Sequence, residues 1–210
     1  MNKHNITLIV LLAGTCFGFS QGFVNLDFEA ANLKGYSSGS EVPAANAFPG
    51  WTVNALIIYD NLSLSGESAS ICDTNNPTLI PAIQGRYFAI LTSGNYPGTG
   101  VPISMGQTGQ IPLWAQTISF WGDIGGLQIT FGGQPLSFNA TGGTPNYAVY
   151  QADISAFAGQ TGQLLFTLPP YVSDARLDNI QFSSSPVPEP GAFGLFVLGG
   201  VLLAWRRLRK

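Results

Sequence analysis

Between Phe23 and Ser185 no segment keeps an apolar stripe at helical spacing for ten residues. Short apolar or alternating runs are cut instead by Gly, Ser, Thr, Asn and Pro, as at Gly125-Gly126, Gly132-Gly133 and Gly142-Gly143. That punctuation leaves little but an all-β body. It predicts strands at Phe23–Phe28, Trp51–Tyr59, Tyr87–Leu91, Thr117–Trp121, Leu127–Phe131, Tyr147–Gln151, Gln163–Leu168 and Leu177–Phe182. Their close recurrence favours a β-sandwich or jelly roll over a parallel sheet with crossover helices. In Ile118-Ser119-Phe120 and Gln163-Leu164-Leu165-Phe166 the alternating apolar positions should face the core, with Trp51, Trp121 and Phe131 beside them. Asp153–Gln160 is the one helical turn expected, capped by Asp153 or Ser155 and stopped at Gly159.

The body's charges exclude several functions. Lys34, Arg86 and Arg176 face ten carboxylates, a formal balance of −7. Three cations give nucleic acid no electrostatic footprint. His4 lies in the leader, so the body has no histidine for a Ser-His-Asp or Cys-His nucleophile, nor the commonest zinc ligand. The Gly-rich run Ser93–Gly100 lacks the Lys-Ser/Thr ending of a phosphate loop and reads as a surface loop. Asp27 with Glu29, or Asp174 with Asp178, are the carboxylate pairs left for a glycosidase, which needs two facing across a cleft. The reading is non-catalytic. Cys72 is the body's only cysteine, expected to be buried and inert.

Both ends read as addresses. Residues 1–22 form a signal peptide, with Lys3 in the charged region, Ile6–Phe19 as the apolar region, and Ser20 and Gly22 before a cut at Phe23. Cys16 is a weak lipidation candidate, because Ala13-Gly14-Thr15 lacks a Leu-like residue three positions before it. Residues 23–185 are the sandwich body and residues 186–210 a C-terminal signal. There Val187, Pro188, Glu189 and Pro190 precede a nearly uncharged stretch from Gly191 to Trp205, then Arg206, Arg207, Arg209 and Lys210. About 15 residues rise roughly 22 Å as a helix, short of a hydrocarbon core of roughly 30 Å, and snorkelling arginines close the gap. A single transmembrane helix with its basic stop on the cytoplasmic side places the body outside.

The Pro-Glu-Pro motif, Gly-rich apolar segment and Arg-rich end together resemble the PEP-CTERM sorting signal. The resemblance implies a Gram-negative host and an exosortase-type membrane transpeptidase acting near Pro188-Glu189-Pro190. It implies anchoring in the inner membrane, then residence at the cell surface or outside it, often with exopolysaccharide or biofilm material. Physics adds that three prolines keep the motif extended and accessible.

A second resemblance spans the body. Asn25-Leu26-Asp27-Phe28-Glu29, Pro49-Gly50-Trp51, Asp153–Gln160 and Leu177-Asp178-Asn179-Ile180 follow the order seen in the galactose-binding-like jelly roll of carbohydrate-binding modules. It implies a structural calcium held by Glu29 and Asp178 with backbone carbonyls; hard oxygen donors suit that ion. Aromatic platforms for a glycan are sought at Tyr96, Trp114, Tyr147 and Tyr171, which sit in turn-like settings. The expected function is a glycan-binding surface protein; the alternative is a structural or adhesive one with no small-ligand site.

Overall fold

A computed structural model of the chain describes residues 22–60, 67–76, 83–93, 100–172 and 174–187. Residues 1–21 of the expected signal peptide, Tyr96, Pro188, Glu189, Pro190, the expected transmembrane stretch Gly191 to Trp205, and Arg206, Arg207, Arg209 and Lys210 lie outside the described residues.

The strands are β1 Thr52–Asn54, β2 Leu56–Tyr59, β3 Glu67–Asp73, β4 Tyr87–Ser93, β5 Ile103–Gln110, β6 Thr117–Asp123, β7 Gln128–Phe131, β8 Gln134–Pro135, β9 Asn139–Thr144, β10 Tyr147–Asp153, β11 Thr161–Leu168 and β12 Asp174–Ser183. They form a β-sandwich of two sheets, ordered β2-β3-β4-β12-β6-β10-β9 and β1-β5-β11-β7-β8. The strands β4, β5, β6 and β7 fall in alternate sheets, and so do β10, β11 and β12. That alternation buries the face of each sheet against its sequence neighbours, as a jelly roll requires. One pairing, β2 with β3, is parallel.

Period-two patterning explains the late strands. In β11, Leu164, Phe166 and Leu168 are buried while Gln163 is exposed and Leu165 and Thr167 are half-buried. Ile118 and Phe120 of β6 and Ala175 and Leu177 of β12 meet them across the sandwich. The aromatic centre joins the sheets: Phe120 lies edge-on to Phe166 at 6.1 Å, and Trp51 tilts against Phe166 at 6.0 Å. The Trp51 indole also donates to the Asn25 carbonyl at 2.9 Å. β4 is buried on both faces. Its second face is covered by a smaller cluster of Cys72, Ile83, Phe88 and Ile90, against which Trp121 and Tyr147 pack. A strand buried on both sides reads as the continuous apolar run Tyr87–Leu91.

Three expectations are revised. Phe23–Phe28 is not a strand: Asn25 and Phe28 take positive φ, and the segment turns. It borrows side-chain partners instead. The Gln107 amide accepts from Val24 N at 2.9 Å and donates to Val24 O at 2.7 Å. The run Trp51–Tyr59 is not one strand, since β1 and β2 belong to different sheets and the chain crosses at Ala55. Trp121 faces the smaller outer cluster rather than the inter-sheet core. The turn expected at Asp153–Gln160 is a 3-10 turn, Ser155–Phe157; Asp153 Oδ1 accepts from Ser155 N at 2.8 Å and Gly159 has φ +76°. A four-residue helix, α1 Ala44–Ala47, was not foreseen.

Candidate functional site

Glu29 and Asp178, far apart in sequence, grip one segment. Glu29 Oε1 accepts from Arg86 N at 2.6 Å and Tyr87 N at 2.8 Å. Asp178 Oδ2 accepts from Gln84 N at 2.8 Å, and its Oδ1 from Asn179 N at 2.6 Å. Gly85 between them has φ +59°, and a Cβ there would run into the Glu29 carboxylate. Only glycine lets the segment close on that acid. Asp178 is fully buried. Burial pushes its pKa up to about 8, against the pull of the two N–H groups, and the negative charges of Glu29 and Asp27 raise it further.

Calcium chemistry meets a mixed fit here. The donors are hard oxygens, and a cation would relieve the repulsion that the buried acid feels. Yet both carboxylates already accept backbone N–H groups. Among the described residues no three His, Cys, Asp or Glu side chains are grouped closely enough to hold a metal. The observed arrangement therefore acts as a backbone clamp in its own right.

The same segment carries a second anchor that sequence reading missed. The Arg86 guanidinium donates to Asp73 through Nε at 3.0 Å and through NH2 at 2.6 Å. Its carbon sits 4.8 Å from the centre of the Tyr87 ring. Asp73 also accepts from Tyr59 OH at 3.2 Å and Asn75 N at 2.9 Å. Burial alone would raise its pKa; Arg86 outweighs this and holds the carboxyl below its ordinary value. Burial, with Asp60 and Asp73 nearby, pushes the Tyr59 phenol up to about 12. The Cys72 thiol is fully buried and its pKa is driven up by burial, which fits an inert thiol.

The proposed aromatic contacts do not converge. Trp114 is exposed at the end of the sandwich where β12 finishes. Tyr171 is exposed at the other end, between β11 and β12, with φ +64°. Tyr147 is half-buried and stacked on Trp121, ring centres 5.2 Å apart and planes 9° from parallel. Tyr147 does border a cleft of about 400 Å³, at the end away from Ser183. The glycines of β6 and β9 open that cleft, and Asp123, Thr144, Asn146 and Tyr150 also line it. Asp123 Oδ1 accepts from Gly125 N at 3.3 Å and Thr144 Oγ1 from Asn146 N at 3.2 Å, which sets the two turns at its rim. β9 beside it is exposed throughout and is the last strand of its sheet.

Both chain ends leave from one side. The Phe23 ring lies 5.5 Å from Phe182, near the last residue of β12. Among the described residues no helix is long and apolar enough to cross a membrane. A search of curated proteins found no match to the chain. Residues 186–210, which follow β12 almost at once, match the PEP-CTERM protein-sorting motif. The chain is thus an exosortase substrate: an exported protein, sorted at the membrane toward the cell surface, with a β-sandwich body.

Proposed function

We propose that the body is a non-catalytic binding head for a surface glycan such as exopolysaccharide, displayed by a membrane-inserted C-terminal helix before exosortase processing. The observation that carries this reading is the cleft at the end remote from the tail. It offers a carboxylate (Asp123), an amide (Asn146), a hydroxyl (Thr144) and two tyrosines along a glycine-opened edge. Sugars are held by that mixture of hydrogen-bonding groups and flat apolar surface. The Gram-negative inner membrane, a signal peptide ending at Gly22 and cleavage near Pro188-Glu189-Pro190 belong to the same proposal. A glycan array probed with residues 23–185 tests it. Binding that is lost in Asp123→Ala and Asn146→Ala supports the cleft, and uniform failure to bind removes the glycan.

The outer edge of β9, bare among the described residues, favours a second reading, a structural or adhesive surface protein. Unpaired strand edges recruit further strands. Concentration-dependent association of residues 23–185, abolished by a proline at Thr141, would favour that role over glycan binding.

A further inference from the structure

The exposed large apolar side chains among the described residues are Val24, Leu56, Val101, Leu113, Trp114 and Tyr171. Leu113 and Trp114 alone are adjacent in the chain, and Leu113 is 83% exposed and Trp114 57%. They form the tip of a turn closed by Ala115 N donating to Pro112 O at 3.0 Å. Ile111 and Ala115 on either side are buried, so the tip is pinned at its base. Three bonds brace it: Ile111 N to Gln160 O at 3.0 Å, Gly159 N to Ile111 O at 2.9 Å, and Gln116 N to Ser183 O at 2.8 Å. The last ties the turn directly to the end of β12.

From Ser183 the chain has eight residues before the uncharged stretch that starts at Gly191. Eight residues of any conformation reach about 29 Å at most. A body hung from a membrane by that length has this end turned to the bilayer and close to it. Phe23, where the leader would be cut, lies at the same end. In the segments bonded together around this turn, 109–117, 153–162 and 182–187, Asp153 is the only charged residue. We propose that Leu113 and Trp114 dip into the lipid interface of the membrane that holds the tail, seating the body on the bilayer during its tethered stage. The inference rests on the membrane-inserted tail proposed above. Tryptophan favours the interfacial layer, with an apolar ring and a polar N–H. The tether makes a weak two-residue insertion effective, because the tip is always held near the surface. Without cations the contact owes nothing to anionic lipid and should not respond to salt.

The test uses the full chain in phosphatidylcholine vesicles, with lipid brominated near the headgroup end of the acyl chains. Trp205→Phe removes the tail's own tryptophan; adding Trp114→Phe isolates the Trp114 signal by difference. The expected result is blue-shifted Trp114 emission, quenched by the brominated lipid and shielded from aqueous iodide at low and high salt. A chain that floats with the vesicles while Trp114 stays open to iodide overturns this inference alone. A chain that does not float overturns the tail reading and this inference with it. Shielding that appears only when the transpeptidase shares the membrane assigns the turn to that enzyme and overturns the lipid contact.

Discussion

Asp73 and Asp178 anchor the same short segment, 83–87, and are both buried, yet they resolve their charge in opposite ways. Asp73 has a guanidinium, and its pKa falls. Asp178 has two backbone N–H groups and two acidic neighbours, and its pKa rises. Dipoles alone do not offset burial when like charges stand nearby; a full countercharge does. The segment is therefore held by one anchor that weakens in acid and one that weakens in base.

The largest effect expected is at Asp178. Below the ordinary carboxylate value both folded and unfolded chains carry its proton, and it contributes no pH dependence. Above that value the unfolded chain releases the proton while the folded chain keeps it up to about pH 8. The folded state then binds more protons, so stability falls as pH rises across that window, by roughly 5–6 kcal/mol in total. Asp73 supplies the acid limb with opposite sign: its contribution is present above the ordinary value and is lost as pH falls through its lowered one. Urea unfolding in calcium-free buffer should peak near the ordinary carboxylate range, and a flat profile to pH 8 would break the contrast.

Next comes Arg86→Ala, which leaves Asp73 buried without its countercharge. The guanidinium is half exposed, so the loss is set below that of a fully buried pair, at about 2–3 kcal/mol. Its signature is a raised Asp73 pKa, read by carboxyl NMR. Glu29→Ala should cost about 1–2 kcal/mol by stranding the Arg86 and Tyr87 N–H groups. Glu29→Gln keeps an acceptor oxygen while removing a charge that raises the Asp178 pKa, so stability should hold in acid and the loss assigned to Asp178 should level off at a lower pH and be smaller in total. The smallest effect is calcium. A site of about millimolar affinity in a few millimolar calcium adds roughly 1 kcal/mol, or about 2–4 °C. No shift in melting temperature ends the calcium proposal.

Strands whose own residues carry the pattern were readable. β11 and β12 alternate, and β4 is a continuous apolar run, so each appears near its place. β3 and β9 were not, for physical reasons. Between its terminal acids, Glu67–Asp73 is mostly Ser, Ala and Cys, small enough to be buried on both faces with Ile71 as its one large apolar side chain. Asn139–Thr144 has no large apolar residue; it is a strand because β10 pairs with it. Trp51–Tyr59 looked continuous because both halves are apolar, and a change of sheet leaves no compositional mark. At the site, Glu29 and Asp178 were found through a family resemblance, and the structure does bring them to one segment. Asp73 and Arg86 were not found, since two charges 13 positions apart, one ending β3 and one just before β4, signal nothing until those strands pair. Tyr147 borders the cleft, but Asp123 ends β6 and Asn146 sits in a turn, places that a search for aromatic platforms passes over.

β12 lies between β4 and β6 in its sheet and runs straight into the C-terminal signal. A pull between the tail and a ligand held at the far end would act along this strand. Its ladders to β4 and β6 would then be sheared together instead of being unzipped one bond at a time. The strand next to the tether is thus the one whose extraction demands breaking two ladders at once. For a protein handed from membrane to cell surface, mechanical endurance is built into the order of its strands.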